Sequence, residues 1–92
     1  MANELQRYRC MIDRVDRRVV KLLKKRFNLV KQVGRLKGEQ GLGVVQSERE
    51  EEIMSHIVRS VSDGELRGYL TAVYRALFKA SYRVEEASKE GY

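Results

Sequence analysis

The feature that most constrains the fold is an apolar seam through the first third of the chain. Its positions alternate at intervals of three and four residues from Leu5 to Leu36, and no proline and no glycine cluster interrupts it before Gly38. This is the heptad rhythm of a helix that packs against other helices. The seam consists of Leu5, Tyr8, Ile12, Val15, Val19, Leu22, Arg26, Leu29, Val33 and Leu36.

A helix of this length does not fit inside a compact domain of 92 residues. Spanning about residues 4–37, it would be ~50 Å long, whereas a compact chain of this size has a radius of gyration near ~12 Å. Much of the seam would therefore be bare in a single chain. We expect an obligate homodimer in which the helices of two chains intertwine.

Two shorter helices are predicted after it. Helix two, about 47–61, begins at Ser47 with Glu50 at the spacing of a capping box, and Ser62 and Glu65 repeat this spacing before helix three, about 64–88. The glycine-rich loop 38–46 lacks the Lys-Ser ending of a phosphate-binding loop and no strand precedes it, so we interpret it as a hinge. The sequence thus predicts one all-α domain over residues 1–92, with a long, a short and a medium helix.

Composition limits the function classes. No apolar run approaches the roughly 18 residues that span a bilayer, and the N-terminal stretch MANELQRYRC has no apolar signal segment. The single cysteine, Cys10, excludes an internal disulfide, and the only histidine, His56, is far from it in sequence. We therefore expect a cytoplasmic protein with no membrane association, no metal site and no Cys–His catalytic pair.

Charge is distributed unevenly along the chain. Residues 1–37 carry twelve Lys and Arg against three Asp and Glu, a net charge of +9, whereas residues 38–92 carry seven against ten, a net charge of −3. The first segment should attract anions. Nucleic acid, a small polycarboxylate and a merely solvated helix face are all compatible with this pattern.

Arg26 is the one charged residue in the apolar seam. A guanidinium there is costly unless it is paired or reaches an anion, the alternative being that it snorkels outward. Lys37, eleven residues later, projects on the same helix face at ~16 Å, so the two side chains could close on one small anion. Arg9 lies ~25 Å from Arg26, too far for the same ligand, but an antiparallel partner helix could supply its own Arg9.

In these residues the chain resembles the all-helical chorismate mutases, small intertwined dimers that convert chorismate to prephenate. The resemblance runs from about Leu5 to Glu86 and rests on the spacing YRxxIDxxDxxxxxLLxxR, then VGxLK, then SEREEEI after the loop. Here the first pattern begins at Tyr8 and ends at Arg26, and the second ends at Lys37. These pieces occur in the family's order and at its spacing.

The resemblance implies a role for each of eight residues. Arg26, with Arg9 from the other subunit, would grip the two substrate carboxylates. Lys37 would contact a carboxylate and the ether oxygen, and Glu85 would donate a hydrogen bond to that oxygen. Glu50 would accept a hydrogen bond from the substrate hydroxyl. The supporting polar positions around the pocket are Gln46, Arg49 and Ser81.

Two of these residues depart from the family pattern. Gln46 stands where many relatives have aspartate, and we expect a modest effect because an amide can still hydrogen-bond. Glu85 stands where the bacterial pattern often has glutamine, and a carboxylate must be protonated to donate. Neighbouring Lys37 should oppose that protonated form, whereas desolvation and the dianionic substrate should favour it, and we expect the second pair to prevail in the complex. On composition alone, however, Glu50 is equally explained as a helix cap and Glu85 as a solvated glutamate.

The family's reaction is a rearrangement within one molecule and requires no nucleophile, metal or cofactor. Three alternatives remain open at this stage. An isochorismate pyruvate-lyase uses much the same pocket, a basic helical dimer could bind nucleic acid, and a plain coiled-coil module could carry the seam. For such a module, Arg26 would be an unexplained defect.

Overall fold

The computed structural model describes residues 2–90, and most of them lie in three α-helices. These are α1 (Ala2–Gln40), α2 (Ser47–Ser60) and α3 (Gly64–Glu90). No strand occurs within residues 2–90. The predicted all-α architecture, with a long, a short and a medium helix, is confirmed.

α1 ends later than the sequence suggested, at Gln40 rather than near Lys37. Gly38 stays helical, and the chain leaves the helix at Gly41, whose φ of 68° is the left-handed conformation that glycine adopts without strain. The amide of Leu42 donates to the Lys37 carbonyl at 2.8 Å, and the amide of Gly41 donates to the Gly38 carbonyl at 3.3 Å. This pair of bonds is a Schellman motif, which satisfies the last carbonyls of the helix.

The predicted capping box at the start of α2 is wrong. The N-cap is Gln46, in extended conformation and with no side-chain capping bond, and Ser47 is already helical. The amides of Arg49 and Glu50 instead donate to the Gln46 carbonyl, at 3.1 and 3.3 Å. The Glu50 side chain is therefore not committed to capping.

The cap of α3 is shifted by one residue from the predicted Ser62. The Asp63 carboxylate accepts hydrogen bonds from the amides of Glu65 at 2.9 Å and Leu66 at 3.2 Å. Aspartate is among the best N-cap residues because its oxygen satisfies amides of the first turn. Arg67 adds a further bond, from Nε to the Val61 carbonyl, which fixes the chain between α2 and α3.

α3 packs against the C-terminal half of α1, and α2 packs against α3. Arg26 contacts Ser81, and further along both helices Gly34 lies against Glu85 and Ser88. The contacts advance toward the C-terminus along both helices, so α1 and α3 run parallel. Within the part of the chain described, α2 contacts α3 and not α1, and its first turn and the loop before it line one cavity with residues of both longer helices.

The N-terminal half of α1 has no cover within the chain. Every residue from 3 to 22 is exposed. The molecule is 57 Å long and 15 Å thick, with a radius of gyration of 16.8 Å. Among the described residues the buried apolar side chains are only Val44, Ile57 and Phe78. We predicted that a single chain cannot cover the apolar seam of α1. The seam is indeed exposed along most of its length.

None of the helices described is both long enough and apolar enough to cross a membrane.

Candidate active site

The site is built where α1, α3 and the loop before α2 converge. At its base, Arg26 Nη1 donates to the Ser81 hydroxyl at 2.7 Å, and that hydroxyl donates to the Leu77 carbonyl one turn earlier in α3, also at 2.7 Å. Ser81 is buried, and Arg26 is half-buried. The seam arginine therefore turns inward toward α3, and its guanidinium keeps further N–H donors for another acceptor.

Lys37 and Glu85 form a buried ion pair across α1 and α3. Lys37 Nζ lies 2.5 Å from Glu85 Oε1, and the side chains are only 11% and 7% exposed. Glu85 Oε1 has no other hydrogen-bond donor among the described residues. Burying two charges is expensive even when they are paired, so such a pair contributes little net stability. Its presence points to chemistry at this position.

Lys37 also fixes the loop. Its ammonium donates to the Val44 carbonyl at 2.7 Å, and Val44 itself is buried. One side chain thus links the end of α1, the middle of the loop and α3. No sequence pattern indicated this contact, because the acceptor is a backbone carbonyl.

Gly34 permits the close approach that the ion pair requires. A Cβ at this position would lie 2.7 Å from the Glu85 carbonyl oxygen, 2.8 Å from Glu85 Cα and 2.9 Å from Ser88 Cβ. Real Cβ atoms do not approach backbone so closely, so only glycine fits. Gly34 belongs to the VGxLK pattern, but its structural role became visible only with α3 in place.

The first turn of α2 and its N-cap form the rim of the site. Gln46 and Arg49 are exposed there, and Glu50 is half-buried. Arg49 Nη1 pairs with Glu52 Oε2 at 3.0 Å. Glu85 is buried and is not the solvated glutamate that composition alone would allow, and Glu50 does not cap α2.

Tyr82 is a site residue that the sequence reasoning missed. It lies in α3 beside Ser81, is half-buried, and lines the same cavity as Glu50. Burial raises the pKa of the phenol, and so does the neighbouring carboxylate of Glu50. The only available signal was its spacing of four residues from Phe78, which puts both on one helix face.

These residues surround one cavity of about 360 Å³. Its polar lining is three cations, two carboxylates and three neutral groups, and its apolar lining comes from all three helices and the loop. A cavity of this size suits a small molecule, and guanidinium and ammonium donors suit carboxylates. The lining comprises Arg26, Leu29, Val30, Val33, Lys37, Val44, Gln46, Arg49, Glu50, Ile53, Phe78, Ser81, Tyr82 and Glu85.

Of the eight residues singled out in the sequence, seven line this cavity, and Arg9 does not. Arg9 is exposed on the uncovered half of α1, seventeen residues from Arg26 and ~25 Å along the helix. Among residues 2–90, no group of three or more His, Cys, Asp and Glu side chains is arranged to hold a metal ion.

The family described as chorismate mutase type II matches residues 8–86. A curated relative, the bifunctional chorismate mutase/prephenate dehydratase of Aquifex aeolicus (strain VF5), is 33% identical over 93 residues. The match covers 97% of this chain but only 26% of the relative. No solved structure gave a significant match. The extent of the family match, together with this relative, shows that the chain belongs to the chorismate mutase type II family.

Proposed function

We propose that this chain catalyses the rearrangement of chorismate to prephenate, a step toward phenylalanine and tyrosine. The observation that carries the proposal is the cavity in which two cations of one α1 face, Arg26 and Lys37, stand together with Glu85 of α3. A small dianion with an ether oxygen fits this set of donors. Family membership supports the same reaction.

Positioning is the first task of the site. Chorismate must be held in its compact diaxial conformer, and fixing such a geometry supplies a large part of the rate enhancement of an intramolecular reaction. Arg26 is already oriented by Ser81 and offers its remaining donors to one carboxylate. The apolar wall, which includes Val30, Val33 and Phe78, offers a surface against which the ring can pack.

Charge stabilisation is the second task. As the ether bond breaks, negative charge develops on its oxygen, and donors placed beforehand stabilise that charge best. Lys37 is such a donor, because the Val44 carbonyl and Glu85 hold its ammonium in place. Glu85 contributes the second hydrogen bond when it is protonated. Glu50 accepts a hydrogen bond from the substrate hydroxyl. Gln46 and Arg49 supply further polar groups at the rim of the pocket.

The working unit is proposed to be a homodimer. A compact monomer of this mass would expose about 5,500 Å², whereas this chain exposes 7651 Å². The excess is about 2,000 Å² per chain, which is in the range of obligate interfaces. The uncovered half of α1 carries the apolar seam, so a second copy is the natural cover. An antiparallel α1 would bring the partner subunit's Arg9 toward the site.

A cytoplasmic location is proposed with this function. The single cysteine, Cys10, is an exposed free thiol, as is usual where glutathione keeps cysteines reduced.

The direct test is conversion of chorismate to prephenate by the purified chain, with isochorismate offered in parallel. Prephenate from chorismate, and no salicylate from isochorismate, is the expected result. Salicylate formation would instead identify a pyruvate-lyase, and inertness toward both would overturn the proposal.

The variant Arg26→Leu separates enzyme from scaffold. In a coiled-coil module this change repairs the seam and should raise the unfolding temperature with no functional loss. In the proposed enzyme it removes a carboxylate ligand, so the rate on chorismate should fall sharply whatever happens to stability. Arg35→Leu, at an exposed α1 position outside the cavity lining, is the control.

A further inference from the structure

Glu50 has an unusual environment for the first turn of a helix. The turn has no side-chain cap, so the carboxylate is not occupied by the amides of its own helix. The neighbouring cation, Arg49, pairs with Glu52 instead. Glu50 nonetheless is half-buried and lines the cavity. A half-buried carboxylate facing a site for a dianion requires a partner that holds it in place.

Tyr82 is placed to be that partner. It lies on the α3 face that also carries Phe78 and Glu85, and all three line the cavity. Glu50 and Gln46, at the start of α2, line that cavity too, opposite α3. The Glu50 carboxylate is near enough to raise the pKa of the Tyr82 phenol, after the larger effect of burial.

A phenol suits this position better than a cation would. It donates a single hydrogen bond and leaves the carboxylate its charge and its other oxygen. A lysine or arginine at the same place would attract the substrate carboxylates to the wrong end of the cavity. The neutral donor therefore orients Glu50 without competing with Arg26 and Lys37 for the substrate.

We infer that Tyr82 is a positioning residue of the pocket. Its hydroxyl orients the Glu50 carboxylate so that this carboxylate accepts a hydrogen bond from the hydroxyl group of the substrate. This inference rests on the proposed function, because it assigns Tyr82 a part in binding chorismate. Tyr82 acts through Glu50 and need not touch the reacting bond. Removal of its hydroxyl should therefore weaken substrate binding more than it slows the reaction of the bound substrate.

The test is a double-mutant cycle on chorismate turnover with Tyr82→Phe, Glu50→Gln and the two combined. Tyr82→Phe removes one oxygen and keeps the ring in the wall. We expect kcat/KM to fall roughly tenfold, mainly through KM, as befits loss of one hydrogen bond to a charged group. In the Glu50→Gln background the same change should have little further effect, because the group it orients has already been altered.

The matched control is Tyr69→Phe. Tyr69 is another α3 tyrosine beside a glutamate, with its hydroxyl 3.5 Å from Glu65 Oε1, but it is exposed and does not line the cavity. Its loss should leave kcat/KM unchanged. All variants are compared at a temperature at which circular dichroism shows them fully folded.

The two proposals fail in distinguishable ways. Additive effects of Tyr82→Phe and Glu50→Gln, or a Tyr82→Phe variant as active as Tyr69→Phe, would overturn the role of Tyr82 while the enzyme stays active. An unaltered chain that is inert toward chorismate would overturn the proposed function, and this inference with it.

Discussion

Lys37 contacts two groups with different tasks, the carboxylate of Glu85 and the carbonyl of Val44. Lys37→Ala should lower turnover by roughly 10²–10³ or more, the usual effect of losing a donor to a developing oxyanion. The substitution also leaves Glu85 buried without its cation, which destabilises the fold. Lys37→Gln, which keeps a donor for Val44, is therefore measured beside it.

Both Lys37 variants are assayed with chorismate on protein shown by circular dichroism to be folded. Lys31→Ala, an exposed lysine on the same helix, is the control and should be fully active. Near-normal turnover in Lys37→Gln would mean that the reaction does not need the ammonium group of Lys37.

Glu85 can be tested as a hydrogen-bond donor with its amide. Glu85→Gln keeps the size of the side chain and places an N–H donor at this position, so kcat on chorismate should be at least that of the unaltered chain. Glu86→Gln, at the exposed neighbouring position, should leave kcat unchanged. A large loss of kcat in Glu85→Gln would mean that Glu85 does not act as a donor.

Tyr82 should make the fold more sensitive to strong alkali. Burial and Glu50 raise the pKa of its phenol above the ordinary value of 10.0. The unfolded chain then loses this proton at lower pH than the folded one, so the stabilisation is present below about pH 10 and is lost as pH rises through the folded-state pKa. Urea unfolding between pH 8 and about 11 measures it.

The same titration in Tyr82→Phe isolates the effect from that of the lysines. The free energy of unfolding should fall less steeply above about pH 10 in Tyr82→Phe than in the unaltered chain. Tyr69→Phe, which removes an exposed phenol of the same helix, is the comparison. Equal slopes in Tyr82→Phe and the unaltered chain would contradict the raised pKa.

At the scale of elements, the packing of α3 on α1 depends on Gly34. A methyl group there would meet the backbone of Glu85, which cannot move aside as a flexible side chain can. Gly34→Ala should therefore separate the helices and cost about 1–3 kcal/mol of stability, as overpacking usually does. It should also lower kcat by tenfold or more, since an ångström of misplacement can reduce rates about 100-fold.

Gly68→Ala is the opposite case on α3. Nothing lies within 4 Å of the added methyl group, so the change should stabilise the helix by roughly 1 kcal/mol and leave the rate unaltered. Thermal unfolding and chorismate assays on the two variants together make the comparison. A Gly34→Ala variant that behaves like Gly68→Ala would mean that the close approach has no role.

The elements themselves could be predicted because their signals are local. Steps of three and four residues predicted α1 and α3, and helix periodicity placed Arg26 and Lys37 on one face. Helix ends were less predictable. At Gly41, Gln46 and Asp63, a neighbouring residue has a similar propensity to end or to cap the helix, so local sequence does not decide between them. The contacts of Arg26 with Ser81 and of Lys37 with Val44 depend on how helices pack, and no local pattern encodes that.

At the scale of the whole molecule, a dimer with shared sites can be tested by mixing defects. Arg9→Ala and Arg26→Ala should each inactivate the homodimer. Chains carrying them, refolded together in equal amounts, should recover about a quarter of the normal activity, because a mixed two-fold dimer has one site with both arginines. Sedimentation at several concentrations verifies the assembly.

Two outcomes would contradict the shared site. An active Arg9→Ala homodimer would exclude Arg9 from substrate binding, and absence of recovery in verified mixed dimers would mean that both arginines belong to one chain's site. Arg7→Ala mixed with Arg26→Ala is a control for the procedure, since Arg7 is not assigned to the site and its homodimer should be active.

The uncovered first half of α1 has a consequence for how the protein forms. With every residue from 3 to 22 exposed, the chain gains little from folding that half alone, and an isolated helix is at best marginal in water. In the proposed homodimer, folding of this part and encounter with a second chain are one event. The refolding rate should therefore rise with protein concentration, and a chain made at low abundance would spend longer as a substrate for proteases before it has a partner.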